Sequence, residues 1–376
     1  MTTTTWVKPK ILPLTSVRFF AALYVMLFHT VPGIPSHTGQ HGMVSRTLAL
    51  GYVGVSFFFL LSGFILAVVY LRNNPTVDKR KFYLARFARI YPLYLTAILL
   101  DFPHFLYTQR HITHQSWFHS ISALVATGGL VQVWFTDLQG LNQPGWSLSA
   151  EAFFYLLFPF IGAALWRMRG RMMWPFVILV YAGGTLLVRI ISTTNVSLQQ
   201  QASSPLEHLY TFVLGICLAK FFLWIDADTD RSQLLQRYAP WLLVGSLATF
   251  LAVPAFDLPI SEMQLQHGIL VPLFAMILLA FASGNAVIST LFSVNWLVVL
   301  GEASFALYLI HVPLYTIMRH RIERYDMPAF LIYVAMTIGF SVASNYWLET
   351  PARRWILERE RVVRSLDTEA KSVMAL

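Results

Sequence analysis

The apolar residues of this chain are gathered into ten blocks, at 14–33, 48–71, 88–107, 146–166, 173–192, 205–225, 239–256, 267–283, 296–316 and 329–348. Each is close to the roughly 17–25 residues a helix needs to cross about 30 Å of hydrocarbon. A backbone in lipid has no water to bond, so such blocks close their hydrogen bonds internally as helices. The expected fold is all-α: a polytopic bundle of about ten transmembrane helices over residues 1–352, followed by a charged tail at 353–376.

Composition removes the soluble alternative. A soluble domain carries about a quarter charged residues, whereas this 376-residue chain has 12% charged and 56% hydrophobic residues, with a mean hydropathy of +0.59. A single soluble interior cannot bury that much apolar surface. The formal net charge of +9 does not indicate a nucleic-acid partner, because Lys and Arg lie in short clusters between the blocks. The single cysteine, Cys217, sits within a block, so no disulfide framework and no thiol metal site is expected. Met1 to Pro13 is polar, and no small-residue cleavage site follows the first block, so no cleavable signal is read.

Loop charge sets the expected orientation. With the N-terminus inside, 20 of the 27 Lys and Arg face the cytoplasm and six face outward (Arg46, Arg110, Arg189, Arg319, Arg321 and Arg324), while Arg18 falls within a span. Both termini are then cytoplasmic, in a multi-pass inner (plasma) membrane protein surrounded by membrane lipids. Residues 117–135 are only moderately apolar. As a span they would reverse every later loop and turn the basic loop 167–171 outward, so they are expected to lie at or dip into the outer face.

Against this background a few residues are out of place. A charge at the bilayer centre costs roughly 2.5–3.5 kcal/mol on insertion scales. The first block nevertheless contains Arg18 and His29, eleven residues apart, which is three helical turns plus about 20°, or about 16 Å along one face. Each alone can be an anchor or a helix–helix contact; the pair on one face favours a shared polar cavity. Ser62 in the second span can serve packing or that cavity. Arg86 and Arg89 at the mouth of the third span are either topology signals or a bidentate phosphate site. Glu151 in the fourth span needs a partner, Trp146 is an interfacial anchor or cavity residue, and Tyr308 and His311 share a face of the ninth. Glu349, beside Arg353 and Arg354, reads as a structural ion pair.

These segments together resemble acyltransferase family 3, the membrane-bound acyltransferases of surface polysaccharides and related glycans. The resemblance rests on Arg18-x10-His29, "GVSFFFLLSGF", Arg86-x2-Arg89 followed by "IYPLY", "WSLSAEAFFYLLFP", "SFALYLIHVP" and "ETPARRW", in order from Leu14 to about Trp355. It implies ten helices, an acyl-CoA donor (commonly acetyl-CoA) from the cytoplasm, and a sugar, polysaccharide or lipid-linked glycan acceptor outside. It places essential roles on Arg18 and His29, on the pair Arg86 and Arg89, and on Trp146, Ser147, Leu148 and Glu151. The chain departs from many members at Ser56, Ala152 and Phe153, so no particular substrate transfers. No counterpart of the hydrolase-like domain fused to some members is read in it.

The expected reaction is direct transfer, with no bound cofactor and no metal. His29 is the general base and Glu151 its orienting carboxylate if the two are close. Arg18 lies on the donor path, and Arg86 and Arg89 hold the phosphates of CoA. An acyl-histidine route stays open. The competing class is a proton-coupled transporter or flippase of a glycan-type substrate, since buried Arg, His and Glu also serve transport.

Overall fold

The computed structural model describes residues 11–31, 42–73, 76–138, 140–193, 203–256, 260, 262–322 and 325–360. Lys8, Lys10, Arg324, Arg361, Arg364 and Lys371 of the charge count, and the tail beyond 360, lie outside these residues. The first half of the chain forms α1 (Leu12–Thr30), α2 (Met43–Ala49), α3 (Gly54–Leu71), α4 (Lys79–Tyr107), α5 (Trp117–Gly128), α6 (Gly145–Arg167) and α7 (Gly170–Ile191). The second half forms α8 (Pro205–Asp226), α9 (Thr229–Ala252), α10 (Glu262–Gln266), α11 (Val271–Ala282), α12 (Ala286–Phe292), α13 (Asn295–Arg321) and α14 (Met327–Ser344). A π-helical turn, Asn345–Glu349, carries α14 onward as helix 350–360. No strand occurs among the described residues.

Local chemistry marks the helix starts. Asp78, Ser116, Asp228, Asn285 and Asp326 each accept a hydrogen bond from the backbone N–H three residues on, opening α4, α5, α9, α12 and α14. These side chains satisfy donors that the first helical turn leaves free. Proline at the first turn of α1, α8, α11 and α14 removes one such donor and presets the helical φ.

Nine helical segments among the described residues are long and apolar enough to cross a membrane, and each coincides with an expected span. The molecule is a multi-pass membrane bundle. The remaining expected span, 88–107, lies in α4, which is not among the nine because Pro92, Asp101, Pro103 and His104 dilute its apolar residues. Packing shows that it crosses the bundle all the same. Tyr83 reaches the Leu156 carbonyl, Tyr94 lies against Gly145, and Asp101 accepts the Asn142 N–H, so α4 runs antiparallel to the first half of α6 and the segment before it. By contrast α5 has 12 residues, about 18 Å at 1.5 Å per residue, too short to span.

Directions agree with this count. Gly301 of α13 lies on the backbone of Thr15, and His311 further along α13 meets His29. Helices α1 and α13 are therefore parallel, which requires an odd number of crossings between them. The segments α3, α4, α6, α7, α8, α9 and α10–α11 supply seven.

Two close approaches hold the centre. Gly63 of α3 and Gly215 of α8 face each other's backbones at Phe212 and Leu60, where a methyl group on either would overlap a carbonyl. Gly301 does the same against the Thr15 carbonyl. In lipid, association depends on such backbone-close packing, because apolar side chains gain nothing by leaving one apolar medium for another. Gly301→Leu is expected to push α1 off α13 and destabilise the fold by at least the 1–3 kcal/mol (approximately) typical of overpacking. Thermal unfolding in detergent reads this as a lowered midpoint, and an unchanged midpoint would refute the contact.

Candidate active site

A cavity of about 450 Å³ lies between α1, α3, α4, α6, α13 and the helix after the π turn. Its polar lining comprises Arg18 from α1, Ser62 from α3, Arg86 and Arg89 from α4, and Ser147, Glu151 and Tyr155 from α6. Thr15 of α1, Ser304 and Tyr308 of α13 and Arg353 complete it. Ser147, Glu151 and Tyr155 recur at intervals of four, so they form one stripe of α6; Arg86 and Arg89 are likewise one turn apart.

Positive charge predominates here. Arg89 forms an ion pair with Glu349, which is only 2% exposed. Arg86 lies beside the Tyr70 hydroxyl at 3.4 Å and over the rings of Tyr70, Tyr155 and Phe82 at 5.7–6.0 Å. Its Nε is buried without a hydrogen-bond partner. Glu151 accepts from the Ser62 hydroxyl at 2.8 Å and from the Tyr155 hydroxyl at 2.5 Å, and acts through space on Arg18 together with Glu302. Four guanidinium groups thus share a cavity whose lining contributes one carboxylate, Glu151, with Glu349 committed to Arg89. Three of these arginines are half-buried and Arg353 is exposed, an arrangement suited to a multiply charged anion.

Towards the other end of α1 and α13, hydrogen bonds continue from the cavity. The Ser147 and Tyr308 hydroxyls are 2.7 Å apart. His311, fully buried, has Nδ1 at 2.7 Å from the Tyr308 carbonyl and Nε2 at 3.1 Å from His29 Nδ1. A carbonyl only accepts, so Nδ1 of His311 carries the proton and Nε2 presents a lone pair. His29 Nδ1 is also 3.0 Å from the Val25 carbonyl. Two acceptors facing Nδ1 place the His29 proton there, and Nε2 of the half-buried His29 is the basic nitrogen. Tyr333 fixes the backbone at this point by donating to the His311 carbonyl at 2.8 Å.

The sequence expectations need revision at several residues. Arg18, Ser62, Arg86, Arg89, Glu151 and Tyr308 line one cavity, but His29 and His311 stand beyond its lining. Although Arg18 and His29 share a face, three helical turns carry the histidine past the cavity. His29 and Glu151 form no hydrogen bond or ion pair with each other: the carboxylate is held by Ser62 and Tyr155, and the partner of the imidazole is His311. Trp146 does not line the cavity. Its neighbour Ser147 does, and the 100° helical step turns the indole onto His208 at 5.4 Å and Phe59 at 6.3 Å. Arg353 was not singled out in advance, although its position four residues after Glu349, the partner of Arg89, is a helical signal that could have found it. Ser56 donates to the Gln266 carbonyl and so secures α10 rather than facing the site. No cluster of three or more metal-ligating side chains occurs among the described residues.

Comparison with known proteins gives a consistent picture. A family model described as an acyltransferase domain matches residues 14–346. The chain is 31% identical over 319 residues to acyltransferase MdmB of Streptomyces mycarofaciens, covering 79% of this chain and 77% of that protein. It is 22% identical over 373 residues to O-acetyltransferase OatA of Staphylococcus aureus, covering 92% of this chain and 58% of OatA. Peptidoglycan O-acetyltransferase OatA of Listeria monocytogenes is 24% identical over 324 residues, covering 81% and 51%. The chain thus spans little more than half the length of the OatA relatives. No solved structure matches it significantly.

The Arg89–Glu349 pair is testable without reference to chemistry. Glu349→Gln leaves a guanidinium uncompensated and should destabilise by about 3–5 kcal/mol, whereas Arg89→Leu with Glu349→Leu should recover most of that loss. Unfolding midpoints of the single and double variants in detergent measure the difference.

Proposed function

Since the chain belongs to acyltransferase family 3, whose domain it matches over residues 14–346, and is an acyltransferase, we propose that it moves an acyl group, acetyl foremost, from cytoplasmic acyl-CoA to a hydroxyl of a sugar or glycan at the outer face. The observation that carries this reading is the pairing, along one helix, of an arginine-lined cavity at Arg18 with an imidazole at His29 whose Nε2 is left basic. The names of the OatA relatives, O-acetyltransferase and peptidoglycan O-acetyltransferase, support acetyl transfer to a glycan hydroxyl.

Coenzyme A carries a pyrophosphate and a ribose phosphate. Arg86 and Arg353 are the groups to hold them: Arg89 is committed to Glu349, and Arg18 faces Glu151 deeper in the cavity. Arg18 then accompanies the thioester inward, with Glu151, locked by Ser62 and Tyr155, keeping that guanidinium in place. The hydroxyls of Ser147 and Tyr308 stand on the way to His311 and can polarise a thioester carbonyl arriving from the cavity.

A thioester is a good electrophile but a sugar hydroxyl is a weak nucleophile. His29 Nε2 takes the hydroxyl proton as the oxygen attacks the acyl carbon. The carbon–sulfur bond breaks, and the proton held by His29 passes to the departing thiolate of CoA. The ester and free CoA are the products, and His29 returns to its neutral form. In the resulting imidazolium Nδ1–H still points at the Val25 carbonyl and the His311 lone pair, so the charged form keeps its acceptors. This assigns orientation of the base to His311 and leaves Glu151 to the donor side.

Purified protein incubated with labelled acetyl-CoA should release CoA and pass the label to water or to an added glycan; neither event would point to transport instead. His29→Ala should lower transfer by roughly 10²–10⁴-fold, the usual contribution of a general base, with acetyl-CoA affinity retained. Arg86→Ala with Arg353→Ala should instead weaken acetyl-CoA binding and flatten its salt dependence. Unchanged affinity in that double variant, measured by titration, would remove both arginines from the donor site.

A further inference from the structure

A second cavity, separate from the arginine site, opens between α7, α8 and α11 with a volume of about 800 Å³, at the upper end of the roughly 300–1,000 Å³ typical of ligand pockets. Its walls are almost wholly apolar: Val177, Ile178, Leu214, Leu218, Val271 and Leu279 are among the side chains that form them. Charged groups gather at one end only, where α7 begins and α8 finishes, and the Tyr181 hydroxyl further along is spent on the Ile269 carbonyl. Arg171 and Lys220 line that end, flanked by the exposed indoles of Trp174 and Trp224.

The arginine at this mouth is free to meet a ligand, whereas the lysine is not. Lys220 is spent on structure, its ammonium donating to the carbonyls of Leu165, Trp166 and Met168 at 2.7–2.9 Å. Those bonds tie α8 to the end of α6 and fix the turn into α7, where Arg167 closes α6, Arg169 caps α7 and Arg171 reaches the mouth. These three arginines are exposed, and none pairs with a carboxylate among the described residues. Two acids close in sequence are taken: Asp226 binds Arg72, and Asp228 binds Arg231, whose guanidinium lies over Trp224. Tryptophans mark the headgroup level of a bilayer, and basic pockets between helices at that level recruit anionic lipid headgroups.

We propose that this groove is a binding site for an anionic membrane phospholipid, its phosphate held at Arg171 with Arg167 and Arg169 of the adjoining turn adding positive charge, and its acyl chains lying between α7, α8 and α11. A long apolar volume with cations at one end matches such an amphiphile in both shape and charge. A zwitterionic lipid would fill the walls without satisfying the arginines. The site takes no part in acyl transfer, so it stands or falls independently of the proposed reaction. An occupant here would brace α7, most of whose surface is exposed, against α8 and α11.

The test uses the full chain in neutral detergent, with phosphatidylglycerol and phosphatidylcholine of identical chains as probes. Native mass spectrometry should retain phosphatidylglycerol on the wild-type protein, and that lipid alone should raise the unfolding midpoint. Arg167→Gln with Arg169→Gln and Arg171→Gln, all exposed, should weaken phosphatidylglycerol by about 100-fold while sparing phosphatidylcholine, given the roughly tenfold or smaller gain each surface cation contributes. Leu218→Trp, which fills the groove, should exclude phosphatidylglycerol with the arginines intact. Equal retention of the two lipids, or a preference that survives the triple substitution, overturns the proposal. Displacement of phosphatidylglycerol by an equimolar polyprenyl phosphate overturns the assignment of the occupant.

Discussion

The backbone contact between α1 and α13 is the constraint on which the remainder of the site depends. At Gly301 the two chains meet with no side chain between them, and from there they run parallel until His311 lies 3.1 Å from His29. Because the helices are rigid and share a direction, one contact near the Arg18 level fixes which imidazole faces which three turns later. A bulkier residue at 301 would act on both levels, since neither helix can yield locally. Low-dielectric surroundings strengthen every polar interaction along that seam and penalise each one left unmade.

That penalty explains how the charged groups are organised. Arg89 is neutralised by Glu349, Glu151 is clamped by two hydroxyls, and His311 is bonded at both ring nitrogens. The groups with spare capacity are Arg86, whose Nε lacks a partner, Arg353, and His29 through Nε2. They fall at opposite ends of the polar path. A bundle built only for stability would pair such groups or replace them with apolar ones, whereas capacity left at two ends of one path suits two ligands that meet. The groove at Arg171 repeats the logic on a smaller scale, with an unpaired cation where an apolar volume opens beside Trp174 and Trp224.

The revision at Glu151 is instructive. On a helical wheel Arg18, His29 and Glu151 look like members of a single cluster, because periodicity reports the face of a helix and is blind to the level at which neighbouring helices meet it. The register between α1 and α6 sets Glu151 opposite Arg18, and the register between α1 and α13 gives His29 to His311. Trp146 and Ser147 show the complementary limit: adjacent in the chain, they point to different surroundings because one residue is 100° of rotation.

What the sequence determined by itself was the membrane class and the position of every spanning block, from hydrocarbon thickness and helix rise, and the exclusion of 117–135 as a span, from loop charge. It also marked Arg18, His29, Arg86, Arg89 and Glu151, because polar groups in apolar blocks are too unfavourable to be incidental. Only the tertiary structure decided how those residues divide into a cavity and a histidine pair, that Arg353 joins the cavity from the far end of the chain, and that Ser147 rather than Trp146 faces it. The physical reason is common to all three. Side-chain partners across helices depend on crossing points and relative register, which backbone contacts such as those at Gly63, Gly215 and Gly301 set, and the one-dimensional pattern of a single helix does not contain them.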